Sequence, residues 1–241
     1  VINPKQADCD YPFKLLCGAG VAYKLISLLY DRLGLDKKEL EDYIEFMAIA
    51  TVGDIVDLID ENRIVVKYGL KHIAHTKNTG LRALIEECQL DINNISSYHI
   101  GFVIGPCLNA SGRLDTARQA IELMLCKDNE KAHNMAQELI ALNNERKSMT
   151  EQETHKEIEL VENTGLLKDR VLVIYLKDCH ESIAGIIAGR IKERYYRPTF
   201  VITNAEDGAK GSGRSIEGYN MYEEINKCKN VLTKYGGHPM A

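Results

Sequence analysis

The eight residues GAKGSGRS, Gly208 to Ser215, hold three glycines, two serines, one lysine and one arginine, and no large apolar side chain. Gly211 and Gly213 let a backbone approach a ligand closely, Ser212 and Ser215 offer hydroxyls, and Arg214 offers a two-pronged donor. That set suits a phosphate or a carboxylate. A solvent-facing hairpin with flexible glycines is the other reading these residues allow. Near the end of the chain, Gly236, Gly237 and His238 add a backbone turn and an imidazole.

A second anion-binding stretch is IGPCLNASGRLDTA, Ile104 to Ala117, which sets Asn109, Ser111 and Arg113 among small residues just before an expected helix. Backbone N–H groups at a helix start, with a guanidinium beside them, hold anions. An ordinary loop ending in an N-cap fits the same residues. A nucleotide P-loop does not, because the lysine-plus-hydroxyl ending is missing. Asp54 carries different chemistry. Tyr43, Phe46, Met47, Ala50 and Asp54 recur at helical spacing, which places a carboxylate at the end of an apolar stripe. An unpaired charge facing protein is costly, and metal coordination is one remedy; a helix end facing water, or a pair with Arg63, is another. Asp57 and Asp60 read as a solvated rim.

The elements that must position these residues fall into three parts. A small-residue turn at Gly18 leads into a helix that Gly34 stops, and a second helix begins near Leu40. Further helices are expected at Val65 to His75, Gly80 to Cys88 and Thr116 to Leu125. From Asp128 to Asn163 there is no Pro or Gly. Its first half carries an apolar stripe, Ala132, Met135, Ala136, Leu139 and Ile140, and its second half is nearly all polar. The pattern predicts a strut that starts buried and ends solvated. The period then changes: Val171 to Leu176 reads as a buried strand, Ser182 to Tyr195 as a helix and Pro198 to Thr203 as a second strand. Asp207-Gly208 supplies a hairpin turn, so AKGSGRS should return antiparallel beside that second strand. Arg190, Lys192, Arg194 and Arg197 read as a solvated helix face.

Composition narrows the class. The 241 residues, 45% of them hydrophobic, suffice for one large domain or two small ones. A formal charge of −5 argues against indiscriminate coating of nucleic acid, while leaving room for a locally cationic cleft. Seven scattered cysteines with no C-x-x-C pair suit reduced thiols better than a disulfide framework or a zinc site. With no apolar run long enough to span a bilayer and no secretion signal, the expectation is a soluble cytoplasmic protein. The opening VINPKQ and closing YGGHPMA suggest a piece of a longer protein.

Taken together, LCGAGVAYKL, AIATVGDIVDLIDENR, IGPCLNASGRLDTA, HESIAGIIAGRIKERYYRPTFVI, GSGRSI and YGGHPMA resemble, in order and over essentially the whole chain, RecJ-type single-strand-specific DNA exonucleases of the DHH phosphoesterase superfamily. The resemblance implies an α/β protein with the carboxy-terminal helical part of a DHH domain (1–127), a connecting helix (128–163) and an incomplete small α/β DHH-associated domain (164–241). It implies a 5′-to-3′ exodeoxyribonuclease that releases 5′-mononucleotides from single-stranded DNA in recombination and repair. A DHH-superfamily phosphodiesterase of short oligonucleotides or cyclic dinucleotides, and a non-catalytic repair scaffold, are the alternatives. It further implies two Mn2+ or Mg2+ ions with Asp54 as one ligand, Arg113 as a catalytic or phosphate contact, and a substrate-binding set of Asn109, Arg113, His180, Ser212, Gly213, Arg214, Ser215, Gly236, Gly237 and His238. The partners implied are single-stranded DNA, a single-strand-binding protein and a helicase, with no membrane. Three departures stand out: the Asp-His-His motif is absent, and His72 and His75 do not reproduce it; Asp57 stands where proline is expected; and Cys107 replaces a frequent arginine. One Asp cannot hold two ions, so the chain alone is expected to be inactive.

Overall fold

The computed structural model describes residues 2–114, 117–205 and 208–241, with the side chains of residues 113 and 114 outside that description. The chain divides into two compact units, 1–143 and 144–241.

In the first unit the helices are α1 (Gly18–Leu33), α2 (Ile44–Gly53), α3 (Asp60–Ile73), α4 (Thr79–Glu87), the short α5 (Ser97–His99), α6 (Gly105–Leu114) and α7 (Arg118–Leu125), followed by the first part of α8 (Asn129–Asn163). Gly34 ends α1 as expected, in the left-handed conformation, with φ 65°. The helix near Leu40 begins instead as a 3₁₀ turn over Lys37–Tyr43, capped by the Asp36 carboxylate, before α2 takes over. The core gathers Ile73, Leu81, Leu84, Ile85, Ile100, Ile104 and Leu123, none of them exposed, with Ala132, Ala136 and Leu139 of α8. Gly80 is required there by packing, since a Cβ would lie 1.9 Å from the Leu123 carbonyl oxygen.

Two expectations fail in this unit. The stripe on α2 does not run through Tyr43 and Asp54, which are both exposed; Glu45, Met47, Ala48, Ile49 and Thr51 are buried instead. What makes the buried Glu45 tolerable is a set of partners no periodicity reveals: Thr76 Oγ1 donates to Oε1 at 2.7 Å, and His72 Nδ1 lies 3.2 Å from Oε2. The stretch from Ile104 is also not a loop leading into a helix. A π-helical turn over Ile100–Ile104 runs directly into α6, so Asn109 and Ser111 are inside a helix whose N–H groups are internally engaged.

The second unit is a small α/β layer. Strand β1 (Leu172–Leu176) is joined through α9 (Glu181–Tyr195) to β2 (Thr199–Ala205), which pairs with it in parallel; β3 (Gly208–Arg214) pairs antiparallel with β2, and α10 (Met221–Lys227) follows. The expected return of AKGSGRS beside β2 is observed, while Asp207 of the expected turn lies outside the described residues. Strand β1 is buried on one side only: Leu172, Ile174 and Leu176 face the core with Ile183, Ile187 and Ile191 of α9, and Val173 and Tyr175 face outward.

The second half of α8 is not solvated as its polarity suggested. Thr150, Thr154, Glu157 and Val161 form a buried stripe. The threonines are polar yet buried because each returns its hydroxyl proton to the carbonyl four residues back, Thr150 to Arg146 at 2.7 Å and Thr154 to Thr150 at 2.6 Å. Glu157 has no such outlet: its Oε2 is buried and has no hydrogen-bond partner among the described residues. Desolvation, reinforced by the neighbouring Glu153 carboxylate and only partly offset by Lys156, pushes its carboxyl up to about 7. The folded protein therefore holds a proton there that the unfolded chain releases near its usual carboxylate value. Stability attributable to this group falls as pH rises from about 4.5 through about 7. Glu157→Gln should flatten that slope and raise stability above pH 7 by about 1–3 kcal/mol, measured by urea unfolding at pH 5 and pH 8; an unchanged slope would show that the carboxyl titrates normally.

Candidate anion-binding groove and acidic turn

Strand register decides which side chains of GAKGSGRS face inward. Thr199, Val201 and Thr203 of β2 are fully buried, and they pair with Arg214, Ser212 and Lys210 respectively. Cross-strand partners share a face, so Lys210, Ser212 and Arg214 all lie on the α9 side of the sheet. The seam between β3 and α9 is thus polar at the edge of an otherwise apolar layer.

Helix α9 accommodates them by lacking side chains. Gly185 and Gly189 sit one turn apart, and a Cβ at 185 would meet Arg214 Nη2 at 2.8 Å and Ser212 Oγ at 3.4 Å. Arg214 lies half-buried along this bare strip, with Nη1 donating to the Gly213 carbonyl at 2.6 Å. At the amino end of α9, Lys210 Nζ spans both Glu181 oxygens at 2.9 Å each. His180 caps the helix. Its Nδ1 accepts the Ser182 N–H at 3.3 Å and sits 2.7 Å from Ser182 Oγ, an arrangement that leaves Nε2 to carry the donor proton in the neutral ring.

Two adjoining depressions follow the seam. One, of about 760 Å3, is lined by residues 177–181, Asn204, Ala205, Ala209 and Lys210; the other, of about 250 Å3, is lined by Glu181, Ser182, Ala184, Lys210, Gly211 and Ser212. They share Glu181 and Lys210. In the larger depression, burial, reinforced by the Glu153 and Glu157 carboxylates, pushes the Cys179 thiol up to about 11.

The remaining expected binding residues divide. Gly213 is needed for packing, because a Cβ there would meet Met221 Sδ at 2.3 Å and the Phe200 ring at 2.8 Å. Ser215 is buried and donates to the Tyr219 carbonyl at 2.7 Å, so its hydroxyl proton is already used. The Gly236 to His238 turn is exposed and folds back on the same segment: Ser215 N–H donates to the Met240 carbonyl at 2.9 Å, and Met221 N–H to that of Pro239 at 2.9 Å. GSGRS and GGH, 20 or more residues apart in sequence, are therefore neighbours. The expected basic face of α9 is in part structural, since Arg194 pairs with Glu162 at 3.2 Å, and Arg197, just beyond the helix, donates to the Asp169 carbonyl at 2.7 Å.

In the first unit Asp54 is the exposed C-cap of α2. A carboxylate at the negative end of a helix dipole is unfavourable and would be relieved by a cation. The next residue, Ile55, has φ 53° and is 89% exposed, an unusual conformation for a β-branched side chain. Asn62 holds this acidic turn in place by donating from Nδ2 to the Leu15 and Asp57 carbonyls at 2.9 and 3.0 Å. Asp57 and Asp60 are exposed beside it. Among the described residues no cluster of three or more His, Cys, Asp or Glu side chains could hold a metal ion, so Asp54 stands as a single candidate ligand. On α6, Asn109 is exposed, whereas Ser111 is buried with an unpartnered hydroxyl among the described residues; the side chain of Arg113 lies outside them. Cys107, in place of the expected arginine, is buried in the core and accepts from Asn143 Nδ2 at 3.5 Å. No helix among the described residues is long and apolar enough to cross a membrane.

Comparison with known proteins gives these sites a context. Residues 168–241 match the DHHA1 domain. The whole chain is 38% identical to the single-stranded-DNA-specific exonuclease RecJ of Bacillus subtilis and covers 30% of that protein. Crystal structures of RecJ from Thermus thermophilus, one with Mg2+ and one with Mn2+, superpose with a TM-score of 0.83 at 31% identity, covering 96% of this chain and 35% and 34% of theirs. The chain thus spans about a third of the length of these relatives.

Proposed function

We propose that this chain, homologous to RecJ from end to end, is part of a metal-dependent exonuclease that degrades single-stranded DNA from its 5′ end, releasing 5′-mononucleotides during recombination and repair in the cytoplasm. The observation that carries the reading is the Arg214 guanidinium laid along the bare strip of α9 beside Ser212. In this reading the groove receives the terminal 5′-phosphate. Arg214 offers its planar fork to two phosphate oxygens, the Ser212 hydroxyl donates to a third, and His180 Nε2 supplies a donor at the amino end of α9. Lys210 is held away from the phosphate by Glu181 until the anion competes for it.

Holding the strand end fixes which phosphodiester bond reaches the reacting centre, which lowers the barrier by positioning alone. A divalent ion, when bound, supplies an activated water and neutralises charge on the phosphoryl oxygens. Toward it this chain contributes Asp54, whose placement at the negative end of α2 favours a cation. Mn2+ and Mg2+ are the ions in the similar solved proteins. Single-strand-binding protein and a helicase are the natural suppliers of an accessible strand.

Arg214→Ala should weaken binding of a 5′-phosphorylated single strand by about 10- to 100-fold, the cost of a charge-assisted contact, while barely changing binding of the 5′-hydroxyl strand; equal losses on both would contradict the clamp. In the RecJ-length enzyme, Asp54→Ala should lower kcat by about 100- to 1,000-fold with an unchanged thermal midpoint. Full activity of that variant at saturating Mn2+ would remove Asp54 from the metal site.

A further inference from the structure

We infer that Gly185 is a positioning residue that sets the direction of the Arg214 guanidinium, an inference that rests on reading the β3–α9 groove as the phosphate site. Glycine in the middle of a helix is costly, because alanine at the same position loses less backbone freedom. Residue 185 lies inside the fifteen-residue α9 and its φ is not in the left-handed region, so the helix itself does not call for glycine there. The reason must lie in what stands opposite.

The three atoms nearest to a Cβ there are two from the head of Arg214 and Ser212 Oγ. A Cβ at 185 would come within 2.8 Å of Nη2 and 3.3 Å of Cζ, whereas at 189 the nearest atom is Arg214 Cγ at 4.0 Å. One glycine therefore governs the guanidinium; the other merely passes its stem. The case differs from Gly80 and Gly69, where an added Cβ would strike backbone at 1.9 Å and 2.8 Å and the fold itself would have to give. At 185 the obstructing atoms end a flexible side chain. Alanine there should be accepted by swinging the guanidinium away, so that the fold is kept and the aim of the fork is lost. Ser212 Oγ, 3.4 Å from the same point, would stay in ordinary contact.

The test uses the 241-residue chain and two probes, a short oligothymidylate with a 5′-phosphate and the same strand with a 5′-hydroxyl, against Gly185→Ala, Gly189→Ala, Arg214→Ala and the Gly185→Ala/Arg214→Ala double variant. Gly185→Ala should reduce the preference for the phosphorylated strand by about tenfold, the worth of one charge-assisted contact, with a thermal midpoint equal to or above that of the unaltered chain. Gly189→Ala should leave the preference intact. In the Arg214→Ala background, the second substitution should cost nothing more. An undiminished preference in Gly185→Ala, a further loss in the double variant, or a loss that comes with a lowered midpoint would overturn the positioning role. Arg214→Ala separates the two failures. If it retains the preference, the phosphate reading and this inference fall together; if it loses the preference while Gly185→Ala does not, only the inference falls.

Discussion

A guanidinium can press close against a helix only where no Cβ stands in its path, and the seam between β3 and α9 has one such place at Gly185. Gly185 clears that place on α9, and β3 delivers Arg214 and Ser212 onto it through a pairing with β2 that leaves no freedom of face. A register shift of one residue would send Lys210, Ser212 and Arg214 to the opposite side and bring glycines against α9. Packing opposes that shift, because it would put a side chain where Gly213 now leaves room for Met221 Sδ and the Phe200 ring. Core packing and the aim of the site are thus the same constraint.

The first unit shows a related economy. Asp54 sits where a helix end repels it, next to an isoleucine in the left-handed region, and Asn62 ties the turn down from beneath. Neither the repelled carboxylate nor the left-handed isoleucine stabilises the fold. Both are local costs that the packing of this unit does not require. The helix that carries it is in turn held by the buried Glu45, whose carboxylate is satisfied by Thr76 and His72 of the next helix and its end.

How much of this is legible in the residues depends on the distance over which the cause acts. The hairpin return of AKGSGRS, the αL stop at Gly34 and the strand–helix–strand order are local in origin and could be read directly. The α6 segment could not, because a π-helical turn upstream supplies a continuous helix where small residues suggested a loop. The second half of α8 misled for a different reason: threonines that bond back to their own helix are polar in type yet buried in fact. GSGRS reads from its residue types as a candidate anion-binding stretch, but the separate work of its residues does not show in the sequence. Gly213 makes room for Met221, Ser215 fastens a turn, Gly211 and Ser212 line the smaller depression, and Arg214 lies beside Gly185 on the same side of the sheet. The glycine strip was present in AGIIAGR, yet its meaning depends on a strand more than twenty residues away.

A crystal structure of the chain soaked with a 5′-phosphorylated thymidine dinucleotide would show directly what the seam between β3 and α9 holds. The terminal phosphate should lie within hydrogen-bond distance of Arg214 and Ser212, on the α9 side of β3. A terminal phosphate ordered elsewhere on the second unit, with Arg214 unmoved and unengaged, would contradict it.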